Sequence, residues 1–275
     1  MHVTPQPLAA WWAPCQIPAL ILFAACALFI QPCKAAPAEA LFRYATNAYY
    51  GGDYNQAAGG FLQSATLHPA AGTLQNLGNA QWGRGQTGPA ILAWEQALWL
   101  DPFNRSARSN LRFARRTAQL EAPELAWFEV VSSWLPANWW AWVAGLSLWL
   151  TIGVSTVPGI LRWRKLAWQQ AVAALCLAIF LLSVPAHLGV QTRAQLGFIV
   201  VQDTPLRLTP TAEAQWITRL PAGEPARLER EREDYILVRA SHSEGWIKRA
   251  QFRLISSAPD SIPGNVPDTS PTKRD

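Results

Sequence analysis

Residues of the types that carry out chemistry are few in this chain and do not fall at catalytic spacings. The four histidines lie far apart, at His2, His68, His187 and His242, and no two share the three- or four-residue spacing that holds a metal ion. No Gly-x-Ser-x-Gly sequence marks a nucleophilic serine. The sequence therefore predicts a protein that is not an enzyme and that holds no metal or cofactor.

One glycine-rich sequence, residues 83–88, matches the G-x-G-x-x-G pattern of dinucleotide-binding loops. Such a loop must follow a β-strand and open a helix, so that the helix N-terminus faces the phosphates. Here no strand pattern precedes Gly83, and the loop joins two segments of helical pattern. We therefore predict an inter-helix turn at this place and no nucleotide site.

Two uncharged stretches, residues 139–161 and 166–190, are each long enough to cross a hydrocarbon core of about 30 Å as a helix. The loop between them, residues 162–165, reads Arg-Trp-Arg-Lys, and a short basic loop stays on the cytoplasmic side. Eight of the 15 tryptophans lie within residues 127–168, as expected at a membrane–water interface. We predict a transmembrane hairpin in the bacterial inner membrane, with both flanking regions on the periplasmic side.

The N-terminal segment, residues 1–36, contains an apolar run at 17–30 that is followed by small residues. This pattern is typical of a secretory signal peptide cleaved after Ala35 or Ala36. No Lys or Arg precedes the run, whereas Lys34 follows it, so an uncleaved N-terminal anchor is the alternative. Either form leads to export of the chain from residue 38 onward, in agreement with the orientation that the basic loop predicts.

Residues 38–119 contain a helical repeat. Two units share a glycine, an alanine, an aromatic residue and a proline, with both the glycines and the prolines 33 positions apart: Gly52, Ala57, Phe61 and Pro69, then Gly85, Ala90, Trp94 and Pro102. The alanine lets two helices approach closely, and the aromatic side chain fills the gap between helix pairs. The glycine ends the first helix in the left-handed conformation, and the proline stops the second.

The second unit is similar to the tetratricopeptide (TPR) consensus in residues 74–80, 90–91 and 95–102, and the repeat is close to the roughly 34-residue TPR period. Residues 104–119 resemble the first helix of a third unit or a capping helix. The resemblance implies all-α TPR hairpins whose first helices line a peptide-binding groove. The positions that map to this groove are Phe42, Thr46, Tyr49, Gln75, Asn79 and Trp82. The alternative for Tyr49 and Trp82 is that they pack against the cap.

A basic stripe at helical spacing follows the second unit and comprises Arg105, Arg108, Arg112 and Arg115. It is either the solvated face of a cap or a docking surface for an acidic partner. Nucleic acid is not an expected partner despite a pI near 9.3, because the stripe is predicted outside the cytoplasm and base-stacking motifs are absent.

Residues 192–256 change to short β-rich runs separated by turn signals, which predicts a small all-β barrel. The order resembles a bacterial SH3 (SH3b) domain. Residues 206–210 stand at its V-R-x-G-P stretch, 220–224 at its L-x-x-G turn and 245–248 at its closing G-W-V. The resemblance implies ligand binding through loops and exposed aromatic groups, and the candidates are Trp216 and Tyr235.

Two further segments lie outside the predicted domains and membrane helices. Residues 120–137 combine acidic and aromatic residues and are predicted to lie on the outer membrane surface as an amphipathic lead-in. Residues 257–275 are rich in Pro, Ser and Asp, and we predict that they are disordered because they have little apolar surface to bury.

The order of these regions along the chain predicts a multi-domain membrane protein. It resembles the BatE-like TPR/SH3 membrane proteins of the Bat family, which bacterial aerotolerance operons encode. The resemblance implies von Willebrand A-domain membrane proteins and a MoxR-type ATPase as partners. Three functions remain open: a membrane-anchored assembly scaffold, a peptidoglycan binder that acts through the SH3b domain, and an accessory factor in periplasmic protein maturation.

Overall fold

The computed structural model describes residues 35–160 and 167–258, in which the chain forms eight α-helices and seven β-strands. The helices are α1 (Ala35–Tyr50), α2 (Tyr54–Leu67), α3 (Ala71–Gly83), α4 (Thr87–Leu100), α5 (Arg105–Thr117), α6 (Trp127–Ser132), α7 (Trp139–Ile160) and α8 (Ala167–Arg193). The strands are β1 (Leu196–Ile199), β2 (Thr204–Arg207), β3 (Trp216–Leu220), β4 (Pro225–Arg232), β5 (Tyr235–Ala240), β6 (Glu244–Lys248) and β7 (Phe252–Leu254). The predicted order of a helical region, two long apolar helices and a strand region is confirmed. The predicted leader up to residue 34, the basic loop and the tail from residue 259 lie outside the described residues.

Helices α1 to α5 form an array of antiparallel neighbours, and the repeat sets their packing. Gly52 and Gly85, at φ 80° and 75°, end the first helix of each pair in the left-handed region, as predicted. Phe61 and Trp94 are almost fully buried between the helices. A Cβ atom on Gly78 would lie 2.5 Å from Nε1 of Trp94, so glycine is required for the close approach of α3 and α4.

The strand region is one antiparallel sheet with the order β3-β2-β6-β5-β4-β1-β7, so β3 and β7 are its edges. Alternate residues of β5 point into the core, where Ile236 and Val238 are buried together with Leu206 and Ile247 from neighbouring strands. This alternation is the physical reason why the predicted β-rich runs form a sheet with one apolar face.

The helical region shares a hydrophobic core with one side of β1 and with Ile255, a contact that the sequence did not predict. This shared core lies beside the sheet's own core, which contains Ile236 and Val238. Helix α4 is buried on all sides from Gly88 to Trp94, because α3 and α5 cover part of it and β1 covers another part. A Cβ atom on Gly88 would lie 2.8 Å from the carbonyl oxygen of Ile199, and one on Gly223 would lie 2.5 Å from Cδ1 of Ile91. We call the helical region and the sheet, joined in this way, the platform.

Helices α7 and α8 have the length and composition to cross a membrane, and only 11% of the apolar window of each is buried inside the protein. They pack against each other along their length. Helix α8 continues to Arg193, beyond the predicted end at residue 190, so the first strand begins only at Leu196. The segment predicted as an amphipathic lead-in contains just the short helix α6.

Candidate functional site

The six predicted groove residues lie on α1 and α3, and all six are half-buried. They follow the same spacing on both helices, and we call this face of α1 and α3, together with the adjoining part of α5, the helical surface. A cleft of about 340 Å³ opens between the beginnings of α1 and α3 and is lined in part by Phe42, whose ring centroid is 5.5 Å from that of Phe61. Thr46 donates its hydroxyl hydrogen bond to the carbonyl of Phe42, within its own helix. Gln75 lies in the first half of α3 and is half-buried.

Asn79 sits at the centre of the helical surface and connects three helices. Its Oδ1 atom accepts hydrogen bonds from Nε1 of Trp94, at 3.0 Å, and from Nδ2 of Asn110, at 2.7 Å. Its amide nitrogen makes no hydrogen bond within the part of the chain that the structure describes, and an amide N–H₂ in this position can donate to a peptide carbonyl. Asn79 thus combines a structural oxygen with an available donor.

Trp82 lies between the rings of Trp94 and Phe113, with centroid distances of 6.0 and 5.9 Å. Phe113 belongs to α5 and is 60% exposed, so the aromatic surface continues outward beyond Trp82. Trp82 therefore packs partly against the cap, in line with the alternative for this residue, while one side of it remains accessible. Asn110 and Phe113 were not among the predicted site residues, although they fall three residues apart on the predicted cap helix.

Tyr49 closes the other end of the helical surface in a cluster of three tyrosines. Its ring centroid is 5.4 Å from that of Tyr54 and 6.0 Å from that of Tyr50. Burial raises the pKa of Tyr49, and Tyr54 and Tyr50 raise it further. The phenol is therefore neutral near pH 7 and available as a hydrogen-bond donor or acceptor.

The four arginines of the predicted basic stripe do not share one environment. Arg105, Arg108 and Arg112 are exposed on α5. Arg115 turns inward: it forms an ion pair with Glu95 of α4, and its side chain is only 14% exposed. Its guanidinium carbon also lies 6.0 Å from the ring centroid of Phe198 in β1. Arg115 therefore joins the two halves of the platform, and only the other three arginines of the predicted stripe face solvent.

Tyr235, one of the two residues of the sheet predicted to bind a ligand, lines a cavity of about 710 Å³. This sheet cavity lies where β4, β5 and β7 meet, and buried Ile236 and Phe252 are part of its wall. Trp216 is elsewhere, on the edge strand β3, where it is 60% exposed and its ring centroid is 5.6 Å from the guanidinium carbon of Arg219. The structure thus separates the two aromatic candidates.

A buried ion pair connects the segment before the membrane helices to the sheet. Arg227 of β4 binds both carboxylate oxygens of Glu129 in α6, at 2.8 and 2.7 Å, and the Ala126 amide donates to the same carboxylate at 2.8 Å. Burial raises the pKa of Glu129, but the hydrogen bonds from Arg227, the Ala126 amide and Thr192 and the Arg227 charge outweigh this effect and hold it below its ordinary value. Glu129 is therefore ionised near pH 7.

Ser132, at the end of α6, is bonded to both membrane-type helices. Its carbonyl accepts from Nε1 of Trp140, in the first turn of α7, at 3.0 Å, and its hydroxyl accepts from Arg193, the last residue of α8, at 3.2 Å. The Arg193 guanidinium carbon is also 5.1 Å from the ring centroid of Trp99 in α4. The platform is therefore attached to one end of the hairpin, and we call these contacts around Ser132 and Glu129 the junction.

The described residues form two candidate binding surfaces, the helical surface and the sheet cavity. Within residues 35–160 and 167–258, no three His, Cys, Asp or Glu side chains come close enough together to hold a metal ion. The helical surface supplies amide and aromatic groups suited to an extended peptide, and the sheet cavity supplies an apolar wall with charged groups at its edge. No family model, curated protein or solved structure matches the chain.

Proposed function

We propose that this protein is a non-enzymatic, membrane-anchored scaffold that presents a TPR-type helical array and an SH3b-type sheet domain as one rigid platform for binding other proteins. The observation that carries the proposal is the shared core. Since α4 packs against the end of β1 at Gly88 and against Gly223, in the turn before β4, at Ile91, the two surfaces keep a fixed spacing. A fixed spacing is what a scaffold needs in order to hold two partners together or to bind one partner at two places.

The membrane part of the proposal places α7 and α8 across the bacterial inner membrane, with the platform on the periplasmic side. The two helices are long and apolar enough, and the tryptophans Trp139, Trp142 and Trp168 are exposed near their ends. The basic loop at residues 162–165 supports a cytoplasmic turn. Exposed Trp127, on α6, would then lie at the headgroup level beside the platform.

Sidedness is tested by fusing alkaline phosphatase, which is active only after export, to the chain end at Asp275. Activity of the fusion is the expected result. Activity of a cytoplasmic reporter at the same position, and none of the phosphatase, would overturn the proposed orientation and with it the proposed partners.

The partners implied by the Bat-family resemblance are von Willebrand A-domain membrane proteins and a MoxR-type ATPase. A photo-crosslinking amino acid at Gln75, on the helical surface, tests this in native membranes. The matched control places the same group at Gln63, an exposed glutamine on α2. We expect a von Willebrand A-domain protein to be captured from position 75 and not from position 63. Equal capture at both positions, or none, would contradict binding by the helical surface. The full chain is required because a fragment ending before α6 would expose the sheet-facing side of α4 to water.

A second candidate function is binding of peptidoglycan by the sheet domain, and the observation that favours it is the position of Tyr235 in a cavity of about 710 Å³. Co-sedimentation with purified sacculi distinguishes it from the scaffold. Tyr235→Ala is expected to abolish sedimentation, and Trp216→Ala, at the opposite edge of the sheet, to leave it unchanged. If neither substitution matters, the sheet cavity is not a peptidoglycan site. The third possibility, an accessory role in periplasmic protein maturation, would appear in the crosslinking experiment as capture of a maturation substrate.

A further inference from the structure

The sheet cavity combines an apolar wall with a basic edge. Ile236 and Phe252 are buried in its wall, and half-buried Leu228 and Leu254 extend the apolar area. The cationic residues at the cavity are Lys248, Arg249 and Arg253, and the anionic ones are Glu231 and Asp234. A cavity of this kind fits a segment that carries apolar side chains and carboxylates a few residues apart.

Positive charge is crowded at one side of this cavity. Arg249 forms an ion pair with Glu231 at 2.7 Å, and Nη1 of Arg253 donates to the carbonyl of Arg249 at 2.9 Å. Burial lowers the pKa of Arg253, and the charge of Arg249 lowers it further. A carboxylate on a segment that enters the cavity would be attracted to this cationic side.

The segment that follows β7, residues 255–257, ends at the sheet cavity. Ile255 is buried in the shared core, and Nε2 of Gln96 donates to the carbonyl of Ser257 at 3.2 Å. The hydroxyl of Ser256 donates to the carbonyl of Ala194 at 2.9 Å. These bonds hold residues 255–257 in place, and Ser257 lines the cavity. The tail, residues 259–275, therefore starts at the edge of the cavity.

The sequence of the tail has the complementary chemistry. Ile262 and Val266 are spaced by four, Asp260 and Asp268 flank them, and no basic residue occurs before Lys273. Proline occupies every fourth position, at 259, 263, 267 and 271. Proline restricts φ to about −65°, which favours an extended chain and lowers the entropy lost on binding. At about 3.1 Å per residue, Ile262 lies about 16 Å along the chain from Ser257, within reach of the cavity.

We propose that residues 259–268 of this chain bind in the sheet cavity, with Ile262 and Val266 against its apolar wall and Asp260 and Asp268 beside Lys248, Arg249 and Arg253. The protein thereby occupies its own ligand site, and a ligand of the sheet domain must displace the tail. The inference does not depend on the helical surface, so its failure would leave the crosslinking test at Gln75 unaffected.

The test measures binding of a fluorescent peptide with the sequence of residues 258–270 to the purified full chain in detergent. The wild type is compared with the double variant Ile262→Asp/Val266→Asp, whose own tail no longer fits the apolar wall. A tethered segment has an effective concentration on the order of 1 mM. If the free peptide binds with a Kd of about 0.1 mM, the wild type must bind it about tenfold more weakly than the tail variant does. A peptide with the same two substitutions is the matched negative control.

Two further variants, each combined with the tail double variant, locate the site. Lys248→Glu changes an exposed charge at the cavity and is expected to weaken peptide binding several-fold, whereas Trp216→Ala, on the far edge strand, is expected to leave it unchanged. Equal peptide affinity of the wild type and the tail variant, absence of binding to either, or insensitivity to Lys248→Glu would each overturn the proposal.

Discussion

Helices α4 and α7 are both apolar on nearly all sides, yet they occupy opposite environments. Residues 88–94 of α4 are all buried by protein, whereas Trp142 and Trp149 of α7 are 78% and 72% exposed. Their lengths explain the difference. The 14 residues of α4 span about 21 Å and cannot cross a bilayer, while the 22 residues of α7 span about 33 Å. A short helix with no polar face indicates a second protein layer, and here that layer is the sheet.

The largest loss of folding stability is expected from a substitution at Ile91, which is fully buried where α4 meets the sheet. Ile91→Asp places an unpaired charge in the shared core and is expected to cost more than about 4 kcal/mol, unfolding the helical region and the sheet together. The matched variant Leu146→Asp on α7, a residue that is 65% exposed, should leave platform melting in detergent unchanged but reduce membrane insertion by about 3 kcal/mol. Melting of the helices without the sheet would contradict the shared core.

A smaller loss of stability is expected from a substitution at the junction, which attaches the platform to α7 and α8. Arg227→Met leaves the Glu129 carboxylate, only 2% exposed, without its guanidinium partner and should cost about 3 kcal/mol. Adding Glu129→Leu removes the buried charge and should restore most of this loss. Thermal melting of the three chains in detergent checks the order, and a double variant less stable than Arg227→Met would show that the ion pair is not the cause.

Gly78→Leu tests the packing of α4 on its other side. The new side chain would meet the Trp94 indole, and overpacking of this kind costs about 1–3 kcal/mol. Gly59→Leu is the control, because a Cβ atom at Gly59 meets nothing within 4 Å and replacing a helical glycine gains up to about 1 kcal/mol. Circular dichroism melting should therefore move in opposite directions for the two variants. Equal shifts would mean that α3 and α4 do not approach closely at Gly78.

The free energy of unfolding is expected to fall by a smaller amount as the pH is lowered, because Glu129 becomes protonated. Since the pKa of Glu129 is lowered in the folded protein, its contribution is fully present above the ordinary glutamate value of about 4.3 and is lost as the pH falls through the folded value. The wild type should therefore lose more stability than Glu129→Leu/Arg227→Met between pH 5 and the acid limit of folding. Parallel pH profiles for the two chains would exclude a role of Glu129 in this loss.

The smallest change in stability is expected from Trp82→Ala, because Trp82 is half-buried between Trp94 and Phe113. We expect an unchanged far-ultraviolet circular dichroism spectrum, a melting temperature lower by a few degrees, and about tenfold weaker capture of the partner. Loss of the helical spectrum would instead make Trp82 a core residue, like Trp94.

The sequence was sufficient for features that depend on neighbours along the chain. Gly52, Gly85, Phe61 and Trp94 reveal the helical repeat because local geometry fixes their roles. The contact of Gly223 with Ile91 and the inward turn of Arg115 were not predicted, because each depends on residues far apart in the sequence. The uninterrupted apolar character of α4 was the available signal.

Ser132 connects the platform to both α7 and α8, so the orientation of the platform depends on the two helices together. Since this one residue is bonded to the first turn of α7 and to the last residue of α8, the two helices cannot slide or rotate past each other at that end without breaking these bonds. If α7 and α8 span a bilayer as proposed, a change in bilayer thickness, which helices accommodate by tilting, would tilt the platform as a unit. The helical surface and the sheet cavity would then change their height and angle above the lipid while their mutual distance stays the same.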